Sequence, residues 1–298
     1  MNVSRGPAHW VGAVLSCSSL GCAAQSAGAE ASVVEAATAD VATAEAAPAL
    51  WTAGLFMVAG SHPAYPGADH RIQSARILPF ITWRGPVFRV EGGSAGLRAL
   101  RTPRYEMDFS VAGSFGSGGS DVKARQGMPA IGTLVEAGPS LRINLGELSE
   151  DGRRSAWQLA LPLRAVFDVN RDFAYRGVNF EPRLSYGVPL SGDWRMTTHA
   201  TLLVGDRKIS DTFYGVAPVY ASASRPAYEA SAGLISSRLG VALSRRLGSD
   251  FRLGVYAQAE SVSGAANAGS PLVKRTVDGR VGISLSWTAF RSSQAGVD

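Results

Sequence analysis

The feature that most constrains this chain is a two-residue alternation of apolar and polar side chains, sustained over segments of about ten residues or more. Near the C-terminus, Val281, Ile283 and Leu285 alternate with polar or small residues such as Arg280. Successive side chains of a β-strand point to opposite faces, so each segment has one apolar face and one polar face. Since the pattern recurs from Trp51 onward, the chain is predicted to be all-β.

The length of these segments separates a membrane barrel from a soluble β-sandwich, which also alternates. Sandwich strands average about five or six residues, whereas a tilted strand that crosses a bilayer takes about 9 to 11. A sheet in lipid has to close, because lipid cannot satisfy an open edge. Aromatic residues near the segment ends fit the girdles at the membrane interfaces: Tyr105, Trp157, Phe167, Tyr186, Trp194, Phe251 and Trp287. We therefore predict a transmembrane antiparallel up-and-down β-barrel in the outer membrane of a Gram-negative bacterium.

The alternating segments number about twelve, with ten strands as the alternative. They are predicted at residues 51–59, 72–84, 87–91, 94–100, 105–115, 131–145, 156–170, 178–190, 194–205, 239–247, 251–262 and 279–289. Tight connections at 192–193 and 248–250 alternate with long ones at 60–71, 116–130, 206–238 and 263–278. Short periplasmic turns and long external loops are typical of such barrels. The barrel is predicted over 51–290, with a tail at 291–298.

The N-terminus has the layout of a secretory signal peptide. Arg5 precedes an apolar run that ends at Leu20, and small residues follow. We predict a signal peptide over 1–29, cleaved near Ala24 or Ala29, and an Ala-rich linker over 30–50. Both cysteines lie within this leader, and lipidation at Cys22 is an open alternative.

Composition excludes several classes of protein. No run of about 18 to 20 apolar residues follows the leader, so helical membrane spans are not expected. The net charge of +5 is spread along the chain, which gives no basic patch for nucleic acid. No cofactor motif is recognisable, and the imidazoles of His62 and His70 beside Asp69 are weak evidence for a metal site. The expected surroundings are outer-membrane lipid.

Charged side chains that would face the barrel lumen lie at the polar positions of the predicted strands. These residues are Glu106, Asp108, Glu136, Arg142, Arg164, Asp168, Glu181, Arg183, Arg195, Arg252, Glu260 and Arg280, together with His199. Their mixed signs imply pairing, so we predict a structural network; a thin polar path through a narrow porin is the alternative. An outer-membrane lipid enzyme would bring a serine to His199, but no catalytic residue is predicted.

The connection at 206–238 is predicted to fold over the external mouth as a plug. It combines large aromatic groups with prolines that restrict the backbone: Phe213, Tyr214, Gly215, Pro226 and Tyr228. We expect Tyr214 and Tyr228 to be buried against lumen-facing residues. A mobile external loop is the alternative.

Two segments resemble the MipA/OmpV family: Ala-Tyr-Pro-Gly-Ala-Asp-His at 64–70, and Phe-Tyr-Gly-Val at 213–216 with Pro-Ala-Tyr-Glu-Ala-Ser-Ala-Gly-Leu at 226–234. The resemblance runs from about residue 51 to the end and implies an outer-membrane barrel that links a murein lytic transglycosylase to a peptidoglycan synthase. The chain departs from the family's order at Phe213 and Tyr214. It also does not stop at an aromatic residue, since Phe290 falls on the polar parity and is followed by eight residues. The predicted function is a scaffold; the alternatives are a narrow porin and, third, the lipid enzyme.

Overall fold

The protein is described by a computed structural model that covers residues 49–85, 88–91, 94–97, 100–102, 104–114, 122–150 and 153–296. The predicted signal peptide and nearly all of the predicted linker lie outside these residues. The described chain forms one sheet with strands β1 Trp51–Pro63, β2 Arg71–Arg84, β3 Phe88–Glu91, β4 Ser94–Leu97, β5 Leu100–Arg101, β6 Tyr105–Ser114, β7 Leu134–Glu150, β8 Arg153–Asp168, β9 Ala174–Phe180, β10 Arg183–Pro189, β11 Trp194–Gly205, β12 Gly233–Leu247, β13 Phe251–Ser261 and β14 Val277–Arg291. Helix α1 spans Arg207–Tyr214.

The sheet closes on itself. All pairings are antiparallel, β14 pairs with β1, and β9 and β10 both bridge β8 and β11. The prediction of an up-and-down barrel is therefore confirmed. The tight turns at 190–193 and 248–250 and both ends of the barrel chain lie at one end. The long connections lie at the other end, together with the short β8–β9 connection. No helix of the described residues combines the length and apolarity needed to cross a membrane.

Side-chain exposure follows the predicted period of two. On β14, Val281 and Ile283 are 53% and 49% exposed, while Arg280 and Ser284 are 6% and 5% exposed. The apolar parity thus faces outward, where lipid covers it, and the polar parity faces the lumen. The register follows from this division, since a slip by one residue would turn every charged side chain toward lipid.

The prediction of a single strand at 178–190 is wrong in one respect. The structure has two strands there, β9 and β10, which are separated at Glu181 and Pro182. Pro182 has no N–H for the sheet, and its carbonyl still accepts from the Leu202 N–H at 3.1 Å. The backbone turns the Glu181 side chain into the lumen, where it is 7% exposed. The predicted strand at 94–100 is likewise divided, into β4 and β5.

Two β-bulges account for further differences from the prediction. β12 begins at Gly233 and not at 239, and the bulge lies where Leu203 faces Ser236 while Val204 faces Leu234. Near the end of β14, Ala53 pairs with Phe290 while Gly54 pairs with Thr288. The extra residue reverses the parity, so Phe290 faces outward, 66% exposed. Its assignment to the polar face was therefore wrong.

Candidate functional site: the capped mouth and the charged lumen

The long connections meet over one end of the barrel and form what we call the cap, residues 64–70, 122–133, 206–232 and 262–276. Their apolar side chains join those of the strand ends in one buried cluster: Tyr65, Ala68, Val122, Ile131, Leu134, Val166, Leu203, Ile209, Tyr214, Val216, Ala230, Ile235 and Leu272. Helix α1 begins within this cap. Its first turn is stabilised by Asp206, whose carboxylate accepts from the N–H of Ile209 at 2.9 Å and from that of Val178 at 3.0 Å.

Tyr214 lies at the centre of the cap and is 1% exposed. Its hydroxyl donates to the Pro66 carbonyl at 3.1 Å, and its own carbonyl accepts from the Ser270 hydroxyl at 2.8 Å. The hydroxyl of Tyr65 donates to the Leu272 carbonyl at 2.8 Å. Burial raises the pKa of Tyr65 to about 12 and also raises the pKa of Tyr214. These bonds tie three of the long connections together.

Two arginines tie the fourth connection, residues 122–133, into the cap. Arg125 donates to the Phe213 carbonyl at 3.0 Å and stands 5.9 Å from the centre of the Tyr65 ring. Burial lowers the pKa of this guanidinium. Arg225 donates to the carbonyls of Ala124 and Gln126 at 3.1 and 2.9 Å. These contacts could not be predicted from a local sequence pattern, because they join residues about a hundred positions apart.

The predicted plug residues are distributed unequally. Tyr214 and Gly215 are buried and Phe213 is half-buried, whereas Pro226 is exposed. A Cβ at Gly215 would stand 2.0 Å from the carboxylate and 2.8 Å from the backbone oxygen of Asp211, so a larger residue would require Asp211 to shift. Tyr228 is half-buried, and its hydroxyl lies 3.4 Å from the Asn267 amide oxygen of another loop. The expectation that Tyr228 is buried was therefore wrong, although its side chain packs against the buried cluster of the cap.

Beneath the cap, buried and partly buried charges of alternating sign form an ion chain: Glu136, Arg164, Glu181, Arg183, Arg238, Glu260 and Arg280. Arg164 is 2% exposed and lies 3.1 Å from Glu181 and 3.8 Å from Glu136. The same guanidinium donates to the Ser110 hydroxyl at 2.7 Å. Arg183 approaches Glu181 at 3.4 Å. This half of the ion chain connects strand β6 to strand β10.

The other half of the ion chain continues through Arg238, which lies 3.1 Å from Glu181 and 2.7 Å from Glu260. Glu260 also accepts from Arg280 at 2.7 Å and from the Ser236 hydroxyl at 2.8 Å. The sequence analysis missed Arg238, because it placed that residue at the end of a loop. The parity of Leu239 and of the residues that follow on β12 could have identified it.

Further predicted lumen charges lie at other strand positions than those of the ion chain, among them Asp108, Arg142 and Asp168. Asp108 and Arg142 pair with each other at 3.2 Å. Asp168 lies at the mouth, where it accepts from Arg176 at 2.8 Å and from the backbone of Asn170 at 3.1 Å. Asp108 and Asp168 thus each have a basic partner close by.

Glu106, Arg195 and Arg252 are each the second residue of a strand, at the end with the short turns. His199 lies in the lumen, and its Nε2 is 3.3 Å from the Oε1 of Gln258. No group of three or more histidine, cysteine, aspartate or glutamate side chains suited to a metal ion occurs among the residues that the structure describes. On the lumen side of β1 and β2, by contrast, an apolar group is formed by Phe56, Val58, Phe80 and Tyr256.

The model of the family described as MltA-interacting protein MipA matches residues 55–289, which include the cap and nearly all of the barrel. The chain belongs to the MipA family. The resemblance seen in the sequence is thereby confirmed, and with it an outer-membrane location. No curated protein sequence matches this MipA-family chain significantly.

Several solved outer-membrane proteins are similar to this chain. The NanC porin is 10% identical, with 78% of this chain and 99% of that one covered and a TM-score of 0.40. A bacterial polysaccharide outer-membrane secretin is 9% identical, with 80% and 99% covered and a TM-score of 0.37. Outer membrane phospholipase A from Escherichia coli is 11% identical, with 80% and 92% covered and a TM-score of 0.30. At such identities, no role of these proteins transfers to this chain.

Proposed function

We propose that this protein is a scaffold that holds partner proteins at the periplasmic face of the outer membrane and conducts no solute. The observation that carries the proposal is the cap, because four connections share one buried apolar cluster over the mouth. A channel needs a continuous polar path, whereas apolar side chains such as Tyr214, Ile209 and Leu272, each at most 2% exposed, are packed in the cap. We propose no enzymatic role, since the Nε2 of His199 bonds to Gln258.

The partners that we propose are enzymes of peptidoglycan remodelling: a murein lytic transglycosylase, as the family's description suggests, and a peptidoglycan synthase. The short-turn end of an outer-membrane barrel faces the periplasm, where such enzymes would meet it. Among the residues that the structure describes at that end, the β7–β8 hairpin is the longest feature.

The β7–β8 hairpin extends beyond the barrel wall on one side. β7 and β8 remain paired as far as Glu150 and Arg153. In the described residues, however, β6 accompanies β7 only from Ser114 to Tyr105, which pairs with Ile143. At about 3.3 Å per residue, the rest of β7 extends roughly 20 Å further. We assign the contact with the transglycosylase to this extension.

The binding experiment compares the intact barrel with a variant in which residues 147–156 are replaced by Asn-Gly, a two-residue hairpin turn. We expect binding of purified transglycosylase, measured by biolayer interferometry, to weaken at least tenfold. The control is Arg207→Ala, at the opposite end of the barrel, which should bind normally. Equal binding by all three proteins would reject the hairpin contact, and no binding by the intact barrel would reject the scaffold.

The conductance experiment distinguishes a scaffold from a narrow porin. The porin is the alternative function because charged side chains line the lumen. In planar bilayers, the intact protein should give no stable conductance steps. Deletion of residues 210–223 removes Tyr214 from the cap and should produce steps while the barrel still migrates as a folded species before boiling. Stable steps from the intact protein would favour the porin.

A further inference from the structure

A row of polar side chains crosses the lumen wall beside the ion chain. Arg280 on β14 stands opposite Gln258 on β13, Gln258 stands opposite Gly240 on β12, and Gly240 stands opposite His199 on β11. On the other side of β14, the last pair with β1 is Val281 with Ser61. The next residue of β1, His62, therefore lies beside Arg280. Side chains at opposed positions of neighbouring strands are close enough to share a ligand.

The absence of a side chain at Gly240 lets His199 reach across β12. A Cβ at that position would stand 2.3 Å from the Cε1 of the His199 ring, so the ring lies over the glycine. The ring Nε2 is 3.3 Å from the Oε1 of Gln258. Because a carboxamide oxygen only accepts, His199 donates, and the amide NH2 of Gln258 is left for another partner.

Three nitrogens of this row are buried and have no hydrogen-bond partner among the described residues. They are the Nε2 of Gln258, the Nε of Arg280 and the Nε2 of His62, in side chains that are 8%, 6% and 3% exposed. Arg280 uses a different nitrogen for Glu260. His62 uses its Nδ1, which lies 2.9 Å from the Pro63 carbonyl.

The chemistry of the three nitrogens defines what they can bind. A carbonyl only accepts, so the Nδ1 of His62 carries the proton and its Nε2 is an acceptor. Arg280 and Gln258 each offer an N–H donor. A hydroxyl oxygen matches this set, because it accepts from two donors and gives its own proton to the imidazole. A carboxylate could not donate to His62, and an ammonium group could not accept.

We infer that Gln258, Arg280 and His62 form a buried binding site for one hydroxyl group, supplied by water or by a small neutral polyol. Buried polar groups without a partner are costly, and buried water molecules that make about three hydrogen bonds are common in proteins. The site does not depend on the scaffold function, since it uses no residue of the periplasmic hairpin.

The test is nitrogen NMR of the barrel in detergent micelles, with 15N-labelled histidine and the His62 signals assigned from a His62→Asn variant. We expect Nδ1 to carry the proton and the Nε2 resonance to be displaced from the value of a free imine nitrogen. In Gln258→Leu, the Nε2 resonance should move toward that free value. Gln158→Leu is the matched control, because Gln158 also faces the lumen but donates to Asn144.

Added glycerol distinguishes the two sources of the hydroxyl group. A saturable shift of the His62 Nε2 resonance would assign the site to a polyol. No glycerol shift, with an isotope shift in deuterium oxide, would assign it to water, and both results support the site. A free-imine resonance in the unmodified barrel would overturn the proposal, even if Gln258→Leu failed to fold. So would a resonance that Gln258→Leu leaves unchanged in a folded barrel.

Discussion

The cap and the ion chain lie next to each other, but opposite kinds of interaction hold them together. In the cap, apolar side chains from the long connections pack around Tyr214. Each of them stabilises the cap through the apolar area that it buries. In the ion chain, each charge serves several partners, as Glu181 does for Arg164, Arg183 and Arg238. Loss of one apolar group leaves a local cavity, whereas loss of one charge leaves several buried opposite charges unmatched.

The backbones that carry the two layers differ as well. The ion chain projects from paired strands, whose positions are fixed by the closed sheet. The cap is carried by connections, and its few regular elements are α1 and short single turns. A damaged cap can therefore open without loss of the barrel, while a damaged ion chain should impair the barrel itself.

The largest effect is expected in the ion chain. Glu260→Gln removes the charge that Arg238 and Arg280 share, and it should lower the free energy of unfolding by about 3–5 kcal/mol. Urea unfolding from lipid vesicles, followed by tryptophan fluorescence, measures the loss. Glu229→Gln is the control, because Glu229 pairs with Arg207 on the exposed surface. It should change stability by less than about 1 kcal/mol, and equal losses would contradict the contrast between buried and exposed pairs.

The second effect tests whether the cap is separable from the barrel. Tyr214→Ala should remove about 3–5 kcal/mol of packing, mainly from the cap. Trypsin should then cleave after Arg207 or Lys208 at least tenfold faster, while the barrel still migrates as a folded species before boiling. Tyr228→Ala, at a half-buried position, should accelerate cleavage far less. Loss of the folded barrel in Tyr214→Ala would show that the two layers form one cooperative unit.

The third effect concerns the outward, lipid-facing side of the barrel, with which the cap and the ion chain can be compared. Ile283→Arg places a charge near the middle of the outward face of β14 and should cost about 2–4 kcal/mol. Phe290→Arg lies on the same face near the short-turn end and should cost about 0–1 kcal/mol. Folding yield into vesicles measures both variants. Equal yields would contradict the register and the bulge that turns Phe290 outward.

The smallest effect concerns the alkaline stability of the cap. Burial raises the pKa of Tyr65 to about 12, above the ordinary value near 10. Between these values the folded state binds more protons, so stability should fall as the pH rises from about 10 to about 12. Phenolate absorbance and trypsin cleavage, measured together, follow the change. In Tyr65→Phe this part of the pH dependence should disappear, and an unaltered pH profile would exclude Tyr65 as its source.

The strands that were best predicted from the sequence are those in which each side chain faces either lipid or the lumen. On β13 and β14, lipid lies on one side and the lumen on the other, so a local period of two is sufficient to identify them. Prediction was less accurate wherever the period breaks. Pro182 interrupts a predicted strand, and the bulge before Phe290 turns that side chain against its expected parity. Arg238 was missed because the predicted strand begins after it, whereas β12 extends back to Gly233.

By itself, the sequence determined the all-β class, the outward and lumen faces of the long strands and the family, because alternation and short motifs are local properties of the chain. Only the tertiary structure decided which charges meet and which loops pack together. Arg238 joins Glu181 to Glu260, and Tyr214 reaches Pro66 across 148 positions of sequence. Such partners are set by the closure of the sheet, which brings strands and loops from distant parts of the chain around one lumen. No local pattern encodes that closure.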